Sequence, residues 1–534
     1  MAIVDREAFF KNIRVYWLAF VAYWGIVVFG YDTGIAGGVV ENPIFLEAFG
    51  VTKNGVTDEA KEDDISSNVV SVLQAGAFFG ALISAPVSSH IGRRYTLLSF
   101  TLIFLVGAIL TTVAPAGHTG LSLIYGGRVI SGFGVGGISA VAPAYVSECS
   151  PKEVRGRITG LFQVMVAFGV MISYFVNYGV GINIISGAKI WRVPFGIQLV
   201  PAGIMALGLL TVRESPRFLA SVDRRDEALA NLAYFRREPV DSDSVVRELA
   251  EIEAAISEER EAREGLGLKE AFLGKGNRMR FVIAFVIFFL QQWSGQNSVS
   301  YYAPKIFASI GYTGTKNSLL ASGIYGVVKF VATSIFISFG VESLGRKLSL
   351  IISSTGMGVL FYIVGALLKT HPPPATSSTD VVTQIQPASR GMAALLYIYV
   401  CFYSMGVGPL PWVYVADIFP TRTRHFGLAT ASASQWLWNF VVSKVTPNLV
   451  DDLGWKLFIM FATIDIGGCT LFFCFLPETK GRSLEEMDII FGAVDAAKRQ
   501  ADIDRQAGVI YDNDIANIGK HPDSVRSEAV GTKA

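Results

Sequence analysis

Twelve apolar blocks, each near the roughly 20 residues that a helix needs to cross a bilayer, constrain this chain more than any other feature. They lie near 14–38, 66–89, 96–115, 121–146, 157–180 and 192–212, and then near 280–302, 317–341, 347–369, 391–415, 425–447 and 454–476. Backbone polar groups in lipid must be satisfied inside a helix or a closed barrel, and these blocks are too long and too uniformly apolar for barrel strands. The expected fold is therefore an all-α integral membrane protein, with twelve transmembrane helices in two six-helix halves. Composition agrees: charged residues make up 17% of the chain and mean hydropathy is +0.45, against roughly 25% charge in soluble domains. The expected divisions are 1–13 (N-terminal segment), 14–212 (first half), 213–278 (linker), 279–477 (second half) and 478–534 (tail).

Basic residues orient the bundle. Arg93 and Arg94 follow the second block, Lys152, Arg155 and Arg157 the fourth, Arg346 and Lys347 the eighth, and Arg422 and Arg424 the tenth. The alternate connections hold isolated cations, and the first is acidic through Asp58, Glu59, Glu62, Asp63 and Asp64. The positive-inside rule then places the even-numbered connections and both termini in the cytoplasm. The first block, Trp17 to Val40, is too long for a cleaved signal segment. Arg225–Phe235 and Val245–Arg263 read as short amphipathic helices of a cytoplasmic linker, and the tail after Asp488 as a disordered polar segment. A net charge of +1 excludes an electrostatic nucleic-acid partner. Cys149, Cys401, Cys469 and Cys474 lack metal-like spacing and are expected to be buried free thiols. No metal or other cofactor is expected, nor any catalytic triad or phosphate loop. Gly132 to Gly137 lies in the fourth block with no preceding strand, so its small residues suit close helix approach rather than nucleotide binding.

Motifs repeat between the halves. Ile91-Gly92-Arg93-Arg94 recurs as Leu344-Gly345-Arg346-Lys347. Glu148 and Arg155 are matched, at the same spacing, by Asp417 and Arg424. Arg213-Glu214-Ser215-Pro216-Arg217 is echoed by Pro477-Glu478-Thr479-Lys480-Gly481-Arg482. Such a repeat implies two halves with a solute site between them near the midplane. From about residue 14 to 490 the chain resembles the sugar porter family of the major facilitator superfamily, fungal type. The resemblance implies that Arg93, Arg94, Glu148, Arg155, Glu214, Arg217, Glu342, Arg346, Lys347, Asp417, Arg424 and Glu478 form a charged cytoplasmic gate, made in one state and broken in the other. The alternative is that they only anchor the topology. The chain departs from the family in carrying Ser89-His90 where an acidic or amide residue and an arginine are usual.

Ionisable residues inside the membrane are paired and functional by default. Asp32 in the first helix and Arg128 in the fourth are natural partners, and protonating the aspartate would free the arginine, a route to proton coupling. Aspartate at this place resembles the family's proton symporters, whereas passive facilitators commonly carry asparagine. A static bridge between two helices is the other reading. Lys329 lies mid-helix among apolar neighbours. It resembles lysines of the fungal quinate-permease-like branch and suits a solute carboxylate, with snorkelling or helix pairing as alternatives. Gln291, Gln292 and Asn297 bring amides that can donate to and accept from hydroxyls, and Gln292 and Asn297 converge if the helix breaks near Gly295. The resemblance assigns these three to the sugar together with Gln163, Trp412, Gln435 and Trp436. Gly408 to Pro411 would kink the helix before Trp412. Trp438 and Asn439 suit helix packing. The expected function is proton-coupled uptake of a monosaccharide by a monomeric, lipid-embedded carrier of the plasma membrane. Symport of a sugar-like acid such as quinate or galacturonate, a passive facilitator and, last, a non-transporting sensor are the alternatives.

Overall fold

The computed structural model describes residues 10–53, 56–263, 272–274, 276–339, 345–373, 385–420, 423–480 and 484–492. Among them, the expected spans form twelve helices: α1 (Ile13–Val40), α2 (Glu59–Ile91), α3 (Arg93–Val113), α4 (His118–Cys149), α5 (Lys152–Asn183), α6 (Lys189–Leu209), α7 (in three pieces, Asn277–Trp293, Gln296–Tyr301 and Ala303–Ser309), α8 (Thr315–Phe339), α9 (Arg346–Thr370), α10 (Pro387–Ile418), α11 (Arg424–Leu453) and α12 (Trp455–Phe475). Ten are long and apolar enough to cross a membrane. The other two are α7, whose first piece has 17 residues, and α11, which carries Gln435, Asn439, Lys444, Asp451 and Asp452. Both carry amides assigned to the solute, Gln291, Gln292 and Asn297 on α7 and Gln435 on α11.

Each half has its own core. Val28, Phe100, Phe104, Val135 and Met205 pack in the first, and Phe288, Met357, Phe361, Tyr399 and Phe458 in the second. Close approach inside the first half depends on missing side chains: a Cβ on Gly132 of α4 would stand 2.0 Å from the Leu73 carbonyl oxygen of α2. That is the use small residues have between membrane helices. Between the halves, α1 packs on the later pieces of α7, α2 on α11, and α5 on α8.

Polar helix ends extend past the apolar blocks. The acidic stretch expected in the first connection is instead the start of α2, where Asp58 caps the helix by accepting from Lys61 N–H at 3.2 Å. Acidic side chains there complement the helix dipole. The linker forms helices Pro216–Ser221, Arg225–Arg236 and Asp243–Arg263, with Phe218, Leu232, Val245 and Leu249 in a small core of their own. It docks on the first half through Arg236, which donates to the Cys149 carbonyl at 3.0 Å and pairs with Glu248 at 2.6 Å. The thiols are unpaired, but only Cys149 and Cys469 are buried; Cys401 is half-buried and Cys474 exposed on α12. The tail from 493 onward and Glu342 lie outside the described residues.

Candidate solute and proton sites

The charged pair expected in the first half forms. Arg128 donates from Nη1 to Asp32 Oδ1 at 2.7 Å, with both side chains 1% exposed. Arg128 also donates from Nε to the Val69 carbonyl at 3.0 Å. Asp32 Oδ2 and Arg128 Nη2 have no hydrogen-bond partner among the described residues. A buried pair with one carboxylate oxygen and one guanidinium NH2 unmatched leaves groups that a proton or another ligand can satisfy.

The break in α7 builds the second cluster. Gly295, at φ +85°, ends the first piece, and this turn brings Asn297 Nδ2 onto Gln292 Oε1. Gln291 accepts from Gln292 Nε2 at 3.4 Å, and its own Nε2 donates to the Val407 and Gly408 carbonyls at 2.7 and 2.9 Å, the two carbonyls freed where α10 is interrupted between Met405 and Leu410. Its nitrogen is thus committed to joining two broken helices. Gln296 Nε2 and Lys329 Nζ both donate to Ser300 Oγ, at 2.8 and 3.2 Å, and Tyr325 donates to Gln296 Oε1 at 2.9 Å. From the first half, Tyr174 donates to the Ser300 carbonyl at 2.5 Å.

Lys329 is 6% exposed. Its contacts are the Ser300 hydroxyl and the Tyr403 ring, whose centroid is 5.9 Å away, and no ion pair among the described residues includes it. Gln163 and Gln435 are half-buried. Trp412, also half-buried, lies 4.5 Å from Phe288 between ring centroids. Trp436 is 3% exposed and packs 5.5 Å from Phe29 of α1, joining the core of the opposite half.

At the basic end the repeated motifs adopt repeated geometry. Arg93 pairs with Glu148 at 2.9 Å, and Ser215 donates to the same carboxylate at 2.5 Å. Arg346 pairs with Asp417 at 3.4 Å, and Thr479 donates to Asp417 at 3.0 Å. Glu214 accepts the backbone N–H of Arg93 and Arg94, as Glu478 accepts those of Arg346 and Lys347. The first copy is therefore complete in spite of Ser89-His90. Four cations of the expected gate do something else with their side chains. Arg94 donates to the Leu209 carbonyl, Arg155 to that of Ser150 and Arg424 to that of Phe419, while Arg217 pairs with Glu259 of the linker.

Sequence reasoning passed over two features. Asp465 is fully buried in α12, inside a π-helical stretch over Ile464–Thr470, and its Oδ2 has no partner among the described residues. Lys305, Lys444 and Asp451 stand at the acidic end and bridge helices there. A charge inside or beside an apolar block was the available signal in each case.

Comparison with known proteins accounts for this arrangement. The quinate permease of Emericella nidulans is 37% identical over 492 residues, covering 91% of this chain and 90% of its own. A probable quinate permease of Aspergillus clavatus is 37% identical over 486 residues, covering 90% and 88%. Among solved structures, a partially occluded inward-open form of the xylose transporter XylE from E. coli superposes with a TM-score of 0.72 at 25% identity, over 88% of this chain and 100% of that one. The same proton:xylose symporter bound to 6-bromo-6-deoxy-D-glucose gives a TM-score of 0.71 at 27% identity, over 90% and 100%. The family model for sugar (and other) transporters matches residues 18–491. With its two six-helix halves, its broken seventh helix and its mirrored charge clusters, the chain belongs to this family of membrane transporters, within the major facilitator fold.

Proposed function

We propose that this chain is a proton symporter that takes up a polyhydroxylated monocarboxylate of the quinate type by alternating access. One observation carries the solute class: Lys329 is buried in the membrane interior beside the α7 break with a hydroxyl and a ring, but no acid, as its contacts. An uncompensated cation in hydrocarbon is costly, and a solute carboxylate supplies the missing charge. Gln163, Gln292, Asn297 and Gln435 would meet the hydroxyls and Trp412 the ring face. The relatives that bear the name quinate permease support this choice. Asp32 is the proton acceptor in this reading, and its protonation releases Arg128. The basic end faces the cytoplasm of a cell whose plasma membrane holds the carrier as a monomer, with residues 213–278 as the linker and both termini inside. The charge clusters there act as the cytoplasmic gate.

A neutral hexose or pentose is the second reading, favoured by the likeness to a xylose symporter bound to a glucose derivative. Both readings are tested by external pH in a weakly buffered suspension of transporter-deficient yeast expressing the chain. Quinate or galacturonate should make the medium more alkaline, and Asp32→Asn should abolish the response. Lys329→Gln should abolish it as well. A response to glucose or xylose alone would replace the acid with a sugar. Labelled uptake without any pH change would make the carrier a passive facilitator.

A further inference from the structure

We propose that Lys305 and Lys444 form the latch that closes the outward face of the carrier. Lys305, in the last piece of α7, forms ion pairs with Asp63 of α2 in the other half and with Asp451 of α11, the latter at 2.8 Å. Lys444 of α11 reaches α2 through Asp64 at 3.2 Å, Ser67 at 3.0 Å and Asn68 at 2.6 Å. All of these groups lie at the acidic end, opposite the arginine clusters. Beside them α1 touches α7 so closely that a Cβ on Gly37 would meet the Tyr301 carbonyl.

The basic end differs. There Arg93 pairs with Glu148 inside the first half, Arg346 with Asp417 inside the second, and Arg236 with Glu248 inside the linker. The ion pairs of Lys305 and Lys444 tie the two halves together at the acidic end, as a carrier closed outward requires. The two lysines are not equal. Lys444 and Asp64 are 38% and 68% exposed, so solvent and salt screen them. Lys305 and Asp63 are 13% and 7% exposed, and removing one member of such a pair strands the other. Opening the outward face must part α2 from α7 and α11, which breaks both sets of contacts and hydrates Asp63. These are bistable contacts of the kind that hold one state of a rocking pair of rigid bodies.

The inference rests on the reading of the chain as an alternating-access carrier, but its test needs no solute. The full chain, reconstituted in lipid nanodiscs, is followed by backbone hydrogen exchange. Lys305→Ala should speed exchange about tenfold in peptides covering Asp58–Ser71 and Lys444–Leu453, and slow it around Arg93 and Arg346, because an opened outward face closes the inward one. Lys305→Arg, which keeps a cation for both Asp63 and Asp451, should retain the wild-type pattern at both ends. Unchanged exchange at the acidic end of Lys305→Ala would overturn the latch. So would faster exchange at both ends alike, which is a plain loss of stability, or a Lys305→Arg variant that behaves as Lys305→Ala does. Failure here leaves the solute assignment standing, and failure of the yeast assay leaves the latch standing.

Discussion

Gly37→Ala perturbs the outward closure without touching any charge. The added carbon would lie 1.9 Å from the Tyr301 carbonyl oxygen and 3.1 Å from its carbon. Carbon and oxygen rest in contact at roughly 3.4 Å, so α1 and α7 must part by about 1.5 Å there. Both partners are backbone, so no side chain can swing aside, and overpacking of this kind costs about 1–3 kcal/mol. Alanine also gains roughly 1 kcal/mol of helix propensity over glycine. That gain is common to both states of α1 and cancels between them. The clash exists only where α1 meets α7, so the whole cost falls on the outward-closed state. It should shift the population between states roughly 5- to 150-fold. Nitroxide labels at Val56 and Lys316, exposed positions of opposite halves at the acidic end, would report the change by pulsed electron spin resonance as a shift toward longer distances. Gly179→Ala, where an added carbon meets nothing within 4 Å, should leave the distribution unaltered. An unchanged distribution in Gly37→Ala would refute the argument that this contact holds the outward face closed.

Two further changes test other links. Gln291→Ala leaves the Val407 and Gly408 carbonyls without their donor; it should lower stability by about 1–3 kcal/mol, seen as a lower thermal midpoint of the purified protein without solute. Glu238 of the linker is held down to about 2 by hydrogen bonds from Ser244 and Lys11. Its contribution to linker docking is present above the ordinary glutamate value of 4.5 and lost as pH falls toward about 2. Cleavage of the linker by pepsin should accelerate across that window, and Glu238→Gln should remove the acceleration.

The architecture was legible because hydropathy and charge asymmetry both follow from the solvent, and a bilayer is an unforgiving one. Asp32 with Arg128, and Gln292 with Asn297, were legible for the same reason: polar groups in an apolar span need partners, and only a few were on offer. The bridges at the acidic end were missed because hydropathy ends where lipid ends, whereas helices do not. Lys305 falls just beyond the apolar block of α7, and Asp63 just before that of α2, yet both are helical and face each other. Gln291 shows a different limit. Its type suited a solute ligand, but its nitrogen is bound to the broken backbone of α10, a demand that arises only once two interrupted helices are set side by side. Trp436 likewise suited an aromatic platform and is packed across the interface on Phe29.

The repeat makes its own prediction, because its two copies are built alike and titrate differently. Helices α3 and α9 start after Gly92 and Gly345, neither of which supplies a side-chain cap. The cap comes from far along the chain, as Glu214 and Glu478 accept the first backbone N–H groups. A carboxylate suits this position through the exposed N–H groups and the helix dipole. At Glu214 burial outweighs the N–H bonds and raises its pKa above the usual glutamate value. At Glu478 burial also pushes upward, but four backbone N–H groups, those of Lys480, Arg346, Lys347 and Thr479, prevail and hold the pKa below that value. The signs then separate. The contribution of Glu478 is complete above the ordinary glutamate range and is lost only as pH falls through its lowered value. That of Glu214 is greatest below the ordinary range and declines as pH rises through its raised value. Glu478→Gln should therefore cost about 1–2 kcal/mol at neutral pH, the worth of a lost cap, and less only below the ordinary glutamate range. Glu214→Gln, which mimics the protonated acid, should cost less at neutral pH than its counterpart. Denaturant unfolding of both variants at pH 7 measures the difference. Equal losses for the two variants would mean that the copies are electrostatically equivalent and that burial at Glu214 does not govern its charge.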